Sequence, residues 1–94
     1  MVRITFDPAK RAATLERRGL DFVDAGLVFA GRHATAPDQR FDYGELRFNT
    51  IGELHGRLVV IAWTPRGKAR RIISMRYGHD NEARRWADAL GRPR

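Results

Sequence analysis

Apolar and polar positions change their period several times along the chain, and each change marks an element. Val2 to Phe6 alternates and is rich in β-branched and aromatic residues, which predicts a short strand. Asp7-Pro8 stops it and opens a helix, because Asp suits an N-cap and Pro the first helical position. Ala9 to Arg18 supplies good helix formers, and Gly19 is placed to end that helix. A second helix is expected to open at Asp21, with Asp24 in its first turn, so that Pro8–Arg18 and Phe22–Ala30 form a helical pair. Phe22, Ala25, Val28 and Phe29 fall on one face of the second helix, and Gly31 ends it. Arg32 to Tyr43 is polar and irregular and contains Pro37, which predicts a loop. Alternation returns from Leu46 to Leu54, and His55-Gly56 supplies a two-residue hairpin turn. Arg57 to Thr64 is a nearly continuous apolar strand of the kind covered on both faces. After a turn at Pro65-Arg66-Gly67, Ala69 to Tyr77 makes the last strand. Asp80 is expected to cap a final helix with Ala83, Trp86, Ala87 and Leu90 in an apolar stripe, closed by Gly91.

The expected order is therefore β-α-α-β-β-β-α, an α+β fold. Three strands joined by tight turns make an antiparallel meander, and the two preceding helices pack on one face. Phe22, Val28, Phe29, Trp63 and Trp86 belong to the expected core. The last strand is ambiguous by period alone. If Ile73 and Met75 are inward, Ser74 and Arg76 stand on an open face; if Ile72 is inward, Arg71 and Tyr77 do.

Length and composition narrow the class. Residues 1–94 suffice for a single domain, and 43% hydrophobic with 31% charged residues is an ordinary globular mix. The absence of cysteine removes thiolate nucleophiles, disulfides and Cys-type zinc sites. His33, His55 and His79 are scattered, without metal-ligand spacing, so no metal and no cofactor is expected. Met1 to Asp7 is too short and polar for a signal segment, and Leu58 to Trp63 is far too short to cross a bilayer. These features predict a cytoplasmic protein with no membrane partner. Charge changes the picture most: Lys+Arg 18 against Asp+Glu 11 leaves a net +7, and only Lys10 and Lys68 are lysines. Arginine presents a planar fork of donors that matches phosphate, so the balance points to nucleic acid.

Three blocks carry a resemblance. Phe6, Asp7, Pro8, Lys10, Arg17, Arg18, Gly19, Phe22 and Asp24 form the first; Arg40, Asp42, Tyr43, Gly44, Glu45, Arg47, Gly52, Gly56 and Arg57 the second; Arg71, Ile73, Ser74 and Arg76 the third. From Ile4 to about Trp86 the chain resembles the BrnT toxin family. Thr14 stands where that family usually has Asn, and Arg17-Arg18 where it has Lys-His, so a proton-carrying role at position 18 is lost. The resemblance implies a RelE-like fold and an endoribonuclease that blocks translation. It also implies a cognate antitoxin of the ribbon-helix-helix BrnA type, assembled as two toxins with two antitoxins. RNA is then the substrate, and operator DNA is reached only through the antitoxin.

Metal-independent RNA cleavage needs a base for the 2′-OH, cations for the phosphorane and an acid for the leaving 5′-oxygen. The densest set of such groups is Arg76 with Tyr77 and His79, helped by Arg71; a pairing of Arg76 with Glu82 is the competing structural role. Glu45 as base and Arg47 as phosphate clamp form a second candidate within Asp42–Arg47. Lys10, Arg17, Arg18 and Arg70 are candidates for binding RNA. A non-catalytic nucleic-acid-binding subunit, or a degenerate toxin that only binds its antitoxin as co-repressor, is the competing function. A cationic site also favours an antitoxin whose acidic segment folds on binding and covers Arg76.

Overall fold

Asp7 and Gly19 delimit the first helix as their chemistry requires. The Asp7 carboxylate accepts from the Ala9 N–H at 3.4 Å, Pro8 takes the first turn, and Gly19 adopts a left-handed φ of 70° while its N–H bonds the Leu15 carbonyl. The computed structural model describes residues 2–40 and 42–89. Its elements are β1 (Arg3–Phe6), α1 (Pro8–Arg18), a 3-10 turn (Phe22–Asp24), α2 (Ala25–Ala30), β2 (His33–Pro37), β3 (Phe48–Leu54), β4 (Arg57–Arg66), β5 (Ala69–Tyr77) and α3 (Asp80–Ala89). The five strands form one sheet in the order β1-β5-β4-β3-β2. Leu90 and Gly91, expected to end α3, lie outside the described residues.

The architecture is α+β, but the sheet is mixed rather than a plain antiparallel meander. β2 through β5 run antiparallel to their neighbours, whereas β1 pairs in parallel with β5, from Arg3 opposite Ala69 to Phe6 opposite Ile72. The expected loop at Arg32–Tyr43 also contains a strand. His33 to Pro37 pairs with β3, from Gly52 to Phe48, and forms an edge of the sheet. Its side chains are largely exposed, so no buried face gives it a periodic signature; the backbone ladder to β3 determines it. A polar chain tightens the pairing: the Thr35 and Thr50 hydroxyls lie 2.7 Å apart, and the Trp63 indole N–H donates to Thr50 Oγ1 at 2.8 Å.

Two smaller corrections concern helices. Asp21 caps a 3-10 turn rather than opening an α-helix, accepting from the Val23 N–H at 3.0 Å, and α2 proper begins at Ala25. At α3, the residue before the helix is His79, not Asp80. The His79 N–H donates to Glu82 Oε1 at 2.8 Å, the half of a capping box made by the third helical residue. The hairpin between β3 and β4 is as expected, with His55 at φ 51° and Gly56 at φ 81°, the signature of a type I′ turn.

The core lies between the first helical segments and one face of the sheet. Phe22, Ala25 and Val28 meet Val59, Ile61, Ile72 and Met75, each at most 1% exposed. Ile72 and Met75 are three residues apart, a spacing that a straight strand places on opposite faces. A break in register resolves this: Trp63 pairs with Ile72 while Ala62 pairs with Ser74, so Ile73 is an extra residue and the strand reverses its facing there. α3 covers the other face, where Arg76 stands beside Val60 and bonds Glu82. The helices therefore do not all pack on one face.

Gly52 shows how close α2 comes to the sheet. A β-carbon there would lie 2.7 Å from Val28 Cγ1, 3.1 Å from the Arg32 carbonyl and 3.2 Å from His33 Cβ. Gly52→Ala is expected to destabilise by about 1–3 kcal/mol through overpacking, read as a lowered midpoint in urea with an unchanged slope. A midpoint equal to the parent's would show that α2 yields freely.

Candidate nucleic-acid interface

β1 is shorter than β5, and the difference creates a cleft. Beyond the Phe6–Ile72 pair, β5 has no strand on that side; α1 lies there instead, and Arg18 Nη1 donates to the Met75 carbonyl at 2.6 Å. The cleft between them is lined by Lys10, Ala13, Thr14, Arg17, Arg18, Ile73 and Ser74 and encloses about 290 Å³. The bulge residue Ile73 and its neighbour Ser74 both line it. Residues of the first and third sequence blocks, nearly sixty positions apart, thus share one basic pocket. It offers three cations and two hydroxyls and no carboxylate or imidazole.

A second feature lies on the face covered by α3. The groove there is lined by Ala34, Thr35, Ala36, Arg40, Asn49, Ile51, Val60, Arg76, Glu82 and Arg85. Small and aliphatic residues make its floor, and three arginines outweigh its one carboxylate. Arg76 Nη1 and Nη2 bond Glu82 Oε1 and Oε2 at 2.8 and 2.9 Å, so the expected rival role of Arg76, pairing with Glu82, is what the structure shows. His79 Nδ1 is 3.7 Å from Glu82 Oε1, which gathers Arg76, His79 and Glu82 at one end of the groove. The Arg76 hydrogen bonds, with the His79 backbone N–H, hold the Glu82 carboxyl down at about 2 against the pull of burial. The same pair raises Arg76, opposed by burial and by nearby Arg40.

A pH dependence follows. Glu82 titrates lower in the folded chain than its ordinary 4.5, so its contribution to stability is complete above about pH 4.5 and is lost as pH falls towards 2. Melting temperature is expected to drop across that window by less in Glu82→Gln than in the parent. Parallel curves for the two chains would refute the linkage.

The Asp42–Arg47 candidate forms a separate cluster. Glu45 lies 3.3 Å from Arg47 and 3.1 Å from Arg66, and the Arg47 guanidinium stacks 3.9 Å from the Tyr43 ring centroid. Burial pushes the Glu45 carboxyl up, but hydrogen bonds from Arg47 and Arg66 outweigh it and leave it below its ordinary value. A carboxylate so engaged is a weak proton acceptor at neutral pH. Asp38 binds Arg40 at 2.9 and 3.0 Å and accepts from the Tyr43 hydroxyl at 3.2 Å, and Arg40 holds it well below the usual carboxylate range. Because Arg40 also lines the groove, it joins the two regions.

The remaining candidates divide by face. Arg71 pairs with Thr64, two residues from Ala62 and four from Val60, and so shares the face of Arg76. Tyr77 lies opposite Val59 on the core side, with the Arg57 guanidinium 3.7 Å from its ring centroid, away from Arg76. Arg70 stacks on Phe29 and Trp63 at 4.5 and 4.6 Å, which occupies its guanidinium faces inside the fold's own packing. Arg40 and Arg85 were not singled out from sequence as site residues; the one signal for Arg85 is its position one helical turn after Glu82. Among the described residues no group of three His, Asp or Glu side chains is placed to hold a metal ion, and no helix is long and apolar enough to cross a membrane.

A family model described as "Ribonuclease toxin, BrnT, of type II toxin-antitoxin system" matches residues 6–82. No curated protein matches the chain. The matched span contains every lining residue of the α1–β5 cleft and all those of the groove except Arg85, and it ends on Glu82.

Proposed function

Because the chain belongs to the BrnT family of ribonuclease toxins of type II toxin–antitoxin systems, we propose that it is itself an endoribonuclease of RelE-like type that cleaves RNA in the cytoplasm without a metal. The observation that carries this reading is the convergence of Lys10, Thr14, Arg17 and Arg18 with Ile73 and Ser74 in one cleft, two residues before Arg76 on the same strand. At about 3.3 Å per residue, Ser74 and Arg76 are about 7 Å apart along β5, so one strand of RNA reaches from the cleft to Arg76. The cleft cations and hydroxyls bind backbone phosphates there, as Arg, Lys, Ser and Thr do generally.

Arg76, assisted by Arg71, stabilises charge on the phosphorane as the 2′-oxygen attacks phosphorus and the 5′-oxygen leaves. Arg47, tied to Glu45 and Tyr43, is the less suited helper. His79, beside Glu82 and largely exposed, is better placed to move protons than Glu45, whose carboxylate is tied to Arg47 and Arg66. A ribbon-helix-helix BrnA-type antitoxin, with an acidic segment laid over Arg76, silences the site and brings the pair to operator DNA. One observation favours a different reading: the cleft holds no proton carrier, since position 18 is arginine. A chain that binds nucleic acid or antitoxin without cutting fits that pocket equally. Inducing the chain alone, then with its antitoxin, separates them. Arrested translation with fragmented RNA, relieved by the antitoxin, supports the nuclease; intact RNA with normal translation supports the binder.

A further inference from the structure

The arginines of this fold use their donor edges differently. Arg11 bonds Asp21, and Arg40 bonds Asp38, each through Nε and Nη2, the side-on fork of the guanidinium. Arg76 instead meets Glu82 end-on, through Nη1 and Nη2, and Nη1 also donates to the Tyr77 carbonyl at 3.2 Å. A guanidinium has five hydrogens. Glu82 and the Tyr77 carbonyl take three of them. The two left are Nε–H and one on Nη2, and together they make up the side-on fork. They have no partner among the described residues, and Arg76 lines the groove with Arg40 and Arg85. Glu82 is itself held: the His79 N–H donates to Oε1, and Glu82 sits in the first turn of α3, which buries Trp86 to 7% exposure.

We propose that Glu82 is a positioning residue that locks the Arg76 guanidinium in plane and presents its side-on fork to an RNA phosphate in the groove. This rests on the reading of Arg76 as the cation of RNA cleavage. An end-on carboxylate leaves a two-pronged donor edge whose spacing matches two phosphate oxygens, and fixing its plane in advance avoids ordering a flexible side chain in the transition state. Glu82 lowers the net charge of the site by one, but Arg40 and Arg85 keep the groove cationic. Carboxylate reach matters here as well as charge: a side chain one carbon shorter keeps the charge and loses the two-point grip.

The test separates orientation from catalysis. In the folded full-length chain, nitrogen NMR of the parent is expected to show distinct Arg76 Nη1 and Nη2 signals, and the Arg76 Nε–H signal is expected to move on titration with inorganic phosphate. Glu82→Gln and Glu82→Asp should merge the Nη signals and weaken the phosphate response, with the rest of the amide spectrum retained. On a short single-stranded RNA, both variants should lose about tenfold or more in kcat with KM changed by less than about threefold, since the interaction is realised in the transition state. Adding Glu82→Gln to Arg76→Ala should cause no further loss. Retained Nη resolution in the variants, a parent Nε–H signal indifferent to phosphate, or a rise in kcat would each overturn the proposal. If the parent and Arg76→Ala cut RNA equally, the reading of Arg76 as catalytic cation fails, and the NMR result still decides whether Glu82 orients a phosphate fork.

Discussion

Arg76→Ala is expected to lower RNA cleavage on the order of a hundredfold or more, and to abolish growth arrest when the chain is induced. The argument is electrostatic. Negative charge grows on the phosphorane oxygens, and a cation already fixed where that charge appears needs no reorganisation as it forms. Arg76 meets the requirement: it is held at three points, by both Glu82 oxygens and the Tyr77 carbonyl, and its side chain is 37% exposed. Solvent reaches the pair, so removing it costs stability on the order of only 1 kcal/mol, and the variant stays folded. Arg76→Lys keeps the charge without the planar fork and should recover a minor part of the rate. Arg84→Ala, an exposed arginine on α3, should leave cleavage unchanged. Single-turnover cleavage of a defined RNA by all four chains measures the effect; full activity in Arg76→Ala would move the site to the α1–β5 cleft or the Asp42–Arg47 cluster.

Phe22→Ala is expected to be the most damaging core change, at about 3–5 kcal/mol. Phe22 is fully buried and meets Phe6 edge-on at 5.9 Å, with the rings at 73°. Its backbone sits in a 3-10 turn held by Asp21, which also binds Arg11 at 2.7 and 3.0 Å, so the site has little freedom to close over a cavity. Domains of this size hold about 5–15 kcal/mol in total, so the variant should lie near the edge of unfolding. A thermal melt should register a fall of roughly 15–30 °C. A loss under about 1 kcal/mol would mean that the ring is not part of the core.

Much of the fold was legible along the chain because local chemistry dictates it. Asp7-Pro8 and Gly19 bound α1 through groups that act within a few residues. His55-Gly56 makes its turn because both residues tolerate a positive φ. The apolar run around Val59 and Ile61 is buried because no other placement removes so much hydrocarbon from water. The three sequence blocks pointed to the family, and the family model covers the same stretch.

The remainder depended on contacts between distant segments. β2 is a strand only because β3 lies beside it, and an exposed edge carries no periodic mark. The facing of β5 was undecidable from period, because a single extra residue at Ile73 reverses it, and only pairing with β4 shows the bulge. That reversal puts Ile72 and Met75 in the core and leaves Arg76 on the far face with Glu82. Simple strand alternation puts Tyr77 on the opposite face from Arg76, and Ser74 lines a cleft with residues of α1 that lie far from it in sequence. Composition and local spacing thus decided that this chain is a small, arginine-rich α+β domain with turns and caps at known places. Which arginines line the grooves, and which stack on the fold's own rings, was decided by register and packing, because a guanidinium's role depends on what stands opposite it in space.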